Sequence, residues 1–280
     1  MPNRIFYATH ALQVGGNNIK GVQSVGINTN YNLDPIAQVG DIDVANVVEE
    51  VPEIEVSINR ILGDSTKSIY GIIISGEIKD NADDTKDVVV TYEGGEAVRM
   101  TGMYVGSVTY NFPSEGPVTE EITLVGNSKT SAAASSLPAL SGMGNPLMRH
   151  LLTPTVPSSI DGEVTEMSVS INFNRENILK LGTYQPFLKY ATFPVEVTTE
   201  ITAVASDGGD GLYDDDSDQP DCTSTPSKES ISISGCGFDF DMGSNNYLQS
   251  VSYDGGGADG GNVTATYSYI NYNEFTLSEA

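Results

Sequence analysis

The sequence predicts a mainly β protein, with two tandem β-sandwich or barrel-forming domains that each carry a short flanking helix. Three observations point there. Only 18% of the 280 residues are charged, whereas 29 are Gly and 13 are Pro, a mixture that favours strands and turns over long salt-bridged helices. Short segments alternate apolar and polar residues, the period of a half-buried strand. The order of those segments then occurs twice.

Residues 27–40 (INTNYNLDPIAQVG) correspond to residues 169–182 (VSINFNRENILKLG). Asn30 matches Asn172, Tyr31 matches Phe173, Asn32 matches Asn174 and Gly40 matches Gly182, all 142 positions apart. Val51-Pro52 and Phe193-Pro194 keep that spacing. The segment Ser107–Tyr110 matches Ser250–Tyr253 at 143, and Pro117–Thr119 matches Asn262–Thr264 at 145. Ordered matches with so little drift read as two copies of one unit, over 1–125 and 163–280. Between them, 126–162 is a linker rich in Ser, Ala, Pro and Gly. The linker also holds the apolar patch 146–152, which a bare tether would not need.

In the first copy a strand is expected over 25–33, with Val25, Ile27, Thr29, Tyr31 and Leu33 on one face. Asp34-Pro35 reads as a cap and first helical residue, predicting a short helix to Val39 that Gly40 ends. A second strand follows over 52–61, where Ile54, Val56 and Ile58 alternate with Glu53, Glu55 and Ser57. Residues 68–78 and 87–92 are more continuously apolar and read as a hairpin around an acidic turn. The last pair, 99–110 and 118–125, is joined by a Pro- and Gly-containing turn. The second copy repeats the layout at 167–174, 195–203, 231–240, 248–253 and 263–269.

The formal net charge is −25, and from Pro194 onward Lys228 is the only basic residue against sixteen acids. Such a chain repels polyanions and lacks the clustered Lys and Arg that tight nucleic-acid binding needs. No apolar run approaches the roughly 20 residues of a membrane helix, so membrane insertion is not expected. The first residues also lack the apolar core of a secretory signal. Cys222 and Cys236 are too few for a disulfide scaffold.

Chemistry is hard to find. The two histidines, His10 and His150, accompany no nucleophile motif, and the clusters Gly255–Gly257 and Gly260–Gly261 lack the Lys-Ser/Thr of a phosphate loop. Glu120 and Glu121 are adjacent, so a strand sends them to opposite faces, which suits them poorly to acid/base pairing. No catalytic residue and no cofactor are assigned, and the chain does not read as an enzyme. The acidic segment 207–221 is the one metal candidate. Asp207, Asp210, Asp214, Asp216 and Asp218 offer hard oxygen ligands suited to Ca²⁺, without the spacing of a known loop. A solvated loop and a calcium loop both remain open.

The strand faces are more distinctive. Asn28, Asn30, Glu53, Glu55, Ser57, Thr119 and Glu121 are the polar alternates of the first copy. Asn172, Asn174, Glu196, Thr198, Glu200, Thr264 and Thr266 are those of the second. Two readings fit them: the solvent face of an ordinary sandwich, or a wetted and weakly anionic inner wall.

Two stretches carry a family resemblance. One is Asn174–Gly182 followed by Tyr190–Val197; the other is Gly102–Pro113 leading to Val118–Gly126. In order and spacing they resemble the tail tube (major tail) proteins of long-tailed bacteriophages, over most of both copies but not the linker or the acidic loop. The resemblance implies a structural virion protein whose sheets join into stacked rings around a DNA channel. Six units per ring would make a duplicated chain a homotrimer, with the polar residues named above facing the lumen. Its partners would be itself and the tape-measure, baseplate or tip, and terminator proteins of the tail, with DNA only as passing cargo. It would assemble in the host cytoplasm and reside in the virion tail. The alternative is a secreted or surface β-sandwich binding module whose Asp-rich loop takes up calcium.

Overall fold

The computed structural model describes residues 11–40, 42–92, 96–133, 142–160, 162–204, 227–255 and 262–279. The fold is mainly β. In chain order the first part holds β1 (Ala11–Val14), β2 (Asn17–Asn18), β3 (Val22–Asn30), β4 (Leu33–Ala37), β5 (Val44–Glu49) and β6 (Glu53–Ile61). Two short helices follow, α1 (Ile69–Ile73) and α2 (Ile78–Asn81), then β7 (Lys86–Thr91), β8 (Glu96–Phe112), β9 (Thr119–Gly126) and β10 (Ser128–Ala133). After a 3-10 turn at Arg149–Leu151 come β11 (Thr153–Thr155), β12 (Glu163–Asn172), β13 (Arg175–Ile178), β14 (Leu188–Ala191) and β15 (Glu196–Val204). The chain ends with β16 (Ser232–Gly235), β17 (Phe238–Asp241), β18 (Tyr247–Asp254), β19 (Thr264–Tyr272) and β20 (Thr276–Glu279).

Strand β8 organises the molecule. Its C-terminal part runs between β9 and β12, and its N-terminal part between β10 and β7. The principal ladder is therefore β3-β6-β9-β8-β12-β15-β19-β18, antiparallel throughout. From the other part of β8 a shorter ladder continues through β7, β1 and β2. A separate sheet, β11-β16-β17-β20, and two hairpins, β4-β5 and β13-β14, complete the set.

Alternation places the core. Strand β6 buries Ile54, Val56 and Ile58 and exposes Glu53, Glu55 and Ser57. The same side of the principal ladder contributes Val108 and Tyr110 from β8, Val169 and Ile171 from β12, and Tyr267 and Tyr269 from β19. Phe240 of β17 closes over the middle, its ring edge-on to Tyr110 at 4.9 Å and to Phe112 at 5.1 Å. One core thus runs under the β8–β12 junction; each large apolar side chain it buries contributes about 1.5–3 kcal/mol.

The ladders β3-β6-β9-β8 and β12-β15-β19-β18 share their register. Asn30 stands opposite Glu53, and Asn172 opposite Glu196. Both ladders carry a bulge at matching places, between Val22 and Ser24 and between Val164 and Glu166. A second pair of bulges lies between Val105 and Ser107 and between Leu248 and Ser250. The hairpins agree as well, with Leu33 opposite Glu49 and Arg175 opposite Ala191. These are the correspondences at spacings of 142 to 145 that the sequence repeats.

Several expectations are corrected. The helix expected over 34–39 is strand β4, in which Pro35 sits opposite Val47. A two-stranded hairpin has free edges, so a proline without an N–H is tolerated there. The hairpin expected around residues 68–92 is instead α1 and α2 followed by β7. Ser68 caps α1 through its hydroxyl, which accepts from the Gly71 N–H at 3.4 Å, and a continuous apolar run serves a buried helix as well as a strand. No helix occurs among the described residues of 163–280, so a flanking helix in each half is not found. The strand expected over 231–240 is split by Cys236 and Gly237, whose φ values of 48° and 86° suit a tight two-residue hairpin turn. Within 126–162, β10 and β11 are strands, and Leu147 is fully buried with backbone bonds to Leu62 and Val118.

Candidate functional site

The face of the principal ladder opposite the core is largely polar, with Ile61, Val125, Ile270 and Tyr272 as apolar members among the hydroxyls, amides and carboxylates. One row across it reads Ser24, Asn59, Glu121, Thr109, Ser170, Thr198. The next reads Gly26, Ser57, Thr123, Ser107, Asn172, Glu196, and a third reads Thr119, Asn111, Ser168, Glu200, Ser268. None of these rows contains a Lys or an Arg. Cross-strand hydrogen bonds tie them together: the Asn59 amide donates to Glu121 Oε1 at 2.9 Å, and the Thr109 and Ser170 hydroxyls lie 3.1 Å apart. Thr202 and Thr266 pair in the same way at 3.2 Å.

Of the residues singled out in the sequence, Asn28, Asn30, Glu53, Glu55, Ser57, Glu121, Asn172, Glu196 and Glu200 are exposed on these strands. Thr119, Thr198, Thr264 and Thr266 are half-buried. Asn174 is exposed but lies past the end of β12, where its carbonyl accepts from the Thr192 N–H. Glu53 sits at the margin of the face, 3.8 Å from the Lys189 ammonium. Ser107, Thr109, Asn111, Ser168, Ser170 and Thr202 belong to the face too, signalled by the same alternation. Two shallow depressions lie on it, one over Ser24, Gly26, Asn59 and Glu121, the other over Asn111, Glu166, Ser168 and Glu200. Chemically this is a field of hydroxyls, amides and carboxylates that holds water well and repels phosphate.

Where the two ladders meet, the second hairpin grips the first part of the chain. The Arg175 guanidinium donates to the carbonyls of Val105 at 2.6 Å and Ala82 at 2.5 Å and pairs with Asp83 at 3.1 Å. It lies 4.9 Å over the Tyr104 ring, and burial lowers its pKa to about 10. Phe173 is fully buried beside it, and the Tyr184 hydroxyl donates to the Glu50 carbonyl at 2.7 Å. By contrast, among the described residues no strand pairs with the outer edge of β3 or of β18.

Glu120 and Glu121 do take opposite faces. Glu121 is on the polar side, whereas Glu120 is fully buried. Its carboxylate accepts from Arg60 Nε at 2.5 Å, the Ile69 N–H at 3.1 Å, the Tyr70 N–H at 3.3 Å and the Tyr110 hydroxyl at 3.0 Å. This cluster anchors the start of α1, and the sequence signals it only through charges placed at apolar strand positions.

Among the described residues, no group of His, Cys, Asp or Glu could hold a metal ion, and no helix is long and apolar enough to cross a membrane. Asp207, Asp210, Asp214, Asp216, Asp218, Cys222 and His10 lie outside the described residues. His150 and Cys236 are exposed. Comparison with protein-family models and with curated proteins finds no match.

Proposed function

We propose that this chain is a tail tube subunit, a structural protein that closes with copies of itself into rings and stacks them into a DNA channel. The observation that carries the reading is the principal ladder: a sheet running unbroken from β3 to β18, largely polar on one face with no Lys or Arg among that face's strand residues, and with no strand among the described residues paired to either outer edge. The shared registers and repeated bulges support a duplicated β unit, the second part of the proposal.

Closing the ladder on itself removes the exposed edges, which otherwise invite uncontrolled strand pairing. Three copies bring about 24 strands; at roughly 4.8 Å spacing and 45° tilt the barrel is about 50 Å across at the backbone, wide enough for duplex DNA after side chains are subtracted. A bore lined with Glu, Asn, Ser and Thr offers no phosphate-neutralising contacts, so DNA slides instead of sticking. Head-to-tail stacking of such rings is heterologous and gives an open filament. Tape-measure, tip and terminator proteins are the partners such a tube requires.

Electron microscopy of the purified protein at high concentration tests the reading. Hollow three-fold rings or filaments are expected. A protein that stays monomeric across all accessible concentrations would overturn it.

A further inference from the structure

We infer that β18 of one copy pairs with β3 of the next in the register of the internal β8–β12 joint, and that this contact covers Tyr31, Leu33 and Ile42. The inference rests on the ring-forming reading and names its interface.

The internal joint is the template. There Asn172 stands opposite Ser107, Ser170 opposite Thr109 and Ser168 opposite Asn111. β3 holds in its ladder the place that β12 holds in the other, since Asn30 and Asn172 face Glu53 and Glu196. β18 likewise corresponds to β8, since Ser250 faces Ser268 as Ser107 faces Thr123. Transferring the register puts Asn30 opposite Ser250, Asn28 opposite Ser252 and Gly26 opposite Asp254, between copies.

The hairpins supply an independent observation. Phe173, Arg175 and Tyr184 of the second hairpin engage the first part of the chain at the internal joint. Their counterparts in the first hairpin are Tyr31, Leu33 and Ile42, which are 54%, 60% and 103% exposed. Phe173 and the Arg175 side chain are buried, whereas Tyr184 is itself 52% exposed and held through its hydroxyl. Tyr31 and Leu33, left in water where their equivalents are covered, and Ile42 beside them therefore mark a surface built for another copy of this chain. Leu33 also replaces the buried Arg175, so the two joints differ in chemistry. An apolar side chain between copies and a guanidinium within each copy keep the first part of one chain next to the second part of its neighbour.

Disulfide trapping tests this. In a Cys222→Ser/Cys236→Ser background, Asn28→Cys/Ser252→Cys should form covalent multimers ending at three chains on mild oxidation. These positions lie at opposite edges of one sheet, seven strand spacings or about 34 Å apart along the sheet at roughly 4.8 Å per strand, so the bond must join two copies. The control Thr109→Cys/Ser170→Cys should close within one chain and leave it monomeric on a denaturing gel. Leu33→Asp should lower ring formation at least tenfold while leaving the melting temperature of the monomer unchanged. Rings that trap only with the shifted pair Asn30→Cys/Ser252→Cys, or that form normally with Leu33→Asp, would overturn this interface and leave the ring reading standing. No assembly in the unmutated protein would overturn both.

Discussion

Arg60 and Glu120 face each other across β6 and β9 as a 2.5 Å ion pair with both side chains almost wholly buried, whereas the residues at the matching register of β15 and β19 are Ala203 and Ala265. The same ladder position is met once by a charge pair and once by two methyl groups. The difference follows from what lies above it. In the first part of the chain Glu120 receives the first N–H groups of α1, so a buried carboxylate has work there and needs a cation to neutralise it.

Arg60→Ala should therefore cost about 3–5 kcal/mol, because it leaves the Glu120 carboxylate buried and uncompensated. The double variant Arg60→Ala/Glu120→Ala, which copies the second ladder, should lose less than the sum of the two single losses. Urea denaturation of the four proteins measures the coupling, and strict additivity would contradict the structural account of the pair.

Glu279 gives a pH prediction. Burial raises its pKa above the ordinary glutamate value, more than the Ser68 N–H lowers it. A carboxyl whose folded pKa is raised contributes stability that is fully present below its unfolded pKa and is lost as pH rises through the folded one. Glu279→Gln, which keeps an acceptor for Ser68, should remove that loss. Melting temperature against pH should fall across this window in the unmutated protein more than in the variant; identical profiles would contradict the assignment.

Arg175→Leu converts the internal joint to the chemistry of Leu33. It leaves the Val105 and Ala82 carbonyls without their donor and should destabilise the chain by about 1–3 kcal/mol for each group left buried and unpaired. Denaturant unfolding checks it. An unchanged midpoint would mean that the guanidinium is not what holds the second hairpin.

Glu55, Glu121 and Glu200 are exposed on the polar face, so replacing all three with Lys should leave the fold intact. The unmutated protein should not retain duplex DNA at low salt, whereas the triple variant should. Its affinity should fall with salt by a log–log slope of roughly 0.9 for each phosphate neutralised. DNA binding that is the same in both proteins would argue against a phosphate-repelling wall.

The ladder was legible because its signals are local. The alternation in Glu53–Ile61 reappears as the two faces of β6, and the Asn30/Asn172 and Ser107/Ser250 matches fall at like registers, whereas the bulges left no signal that the sequence reading used. What failed depended on distant partners. Asp34-Pro35 and Gly40 carry helix-end chemistry, yet pairing with Val44–Glu49 makes the segment a strand. The run beginning at Ser68 looks like a strand until Glu120, some fifty residues on, takes up the first N–H groups of a helix. The polar face was readable as residues, but its continuity from β3 to β18 exists only once β8 and β12 pair.

A density map of the assembled particle, averaged over its rings, tests the central claim most directly. It should place the Glu55, Glu121 and Glu200 carboxylates around a central bore, with successive chains seamed at β18 and β3. Carboxylates pointing outward, or rings joined through any other strands, would contradict it.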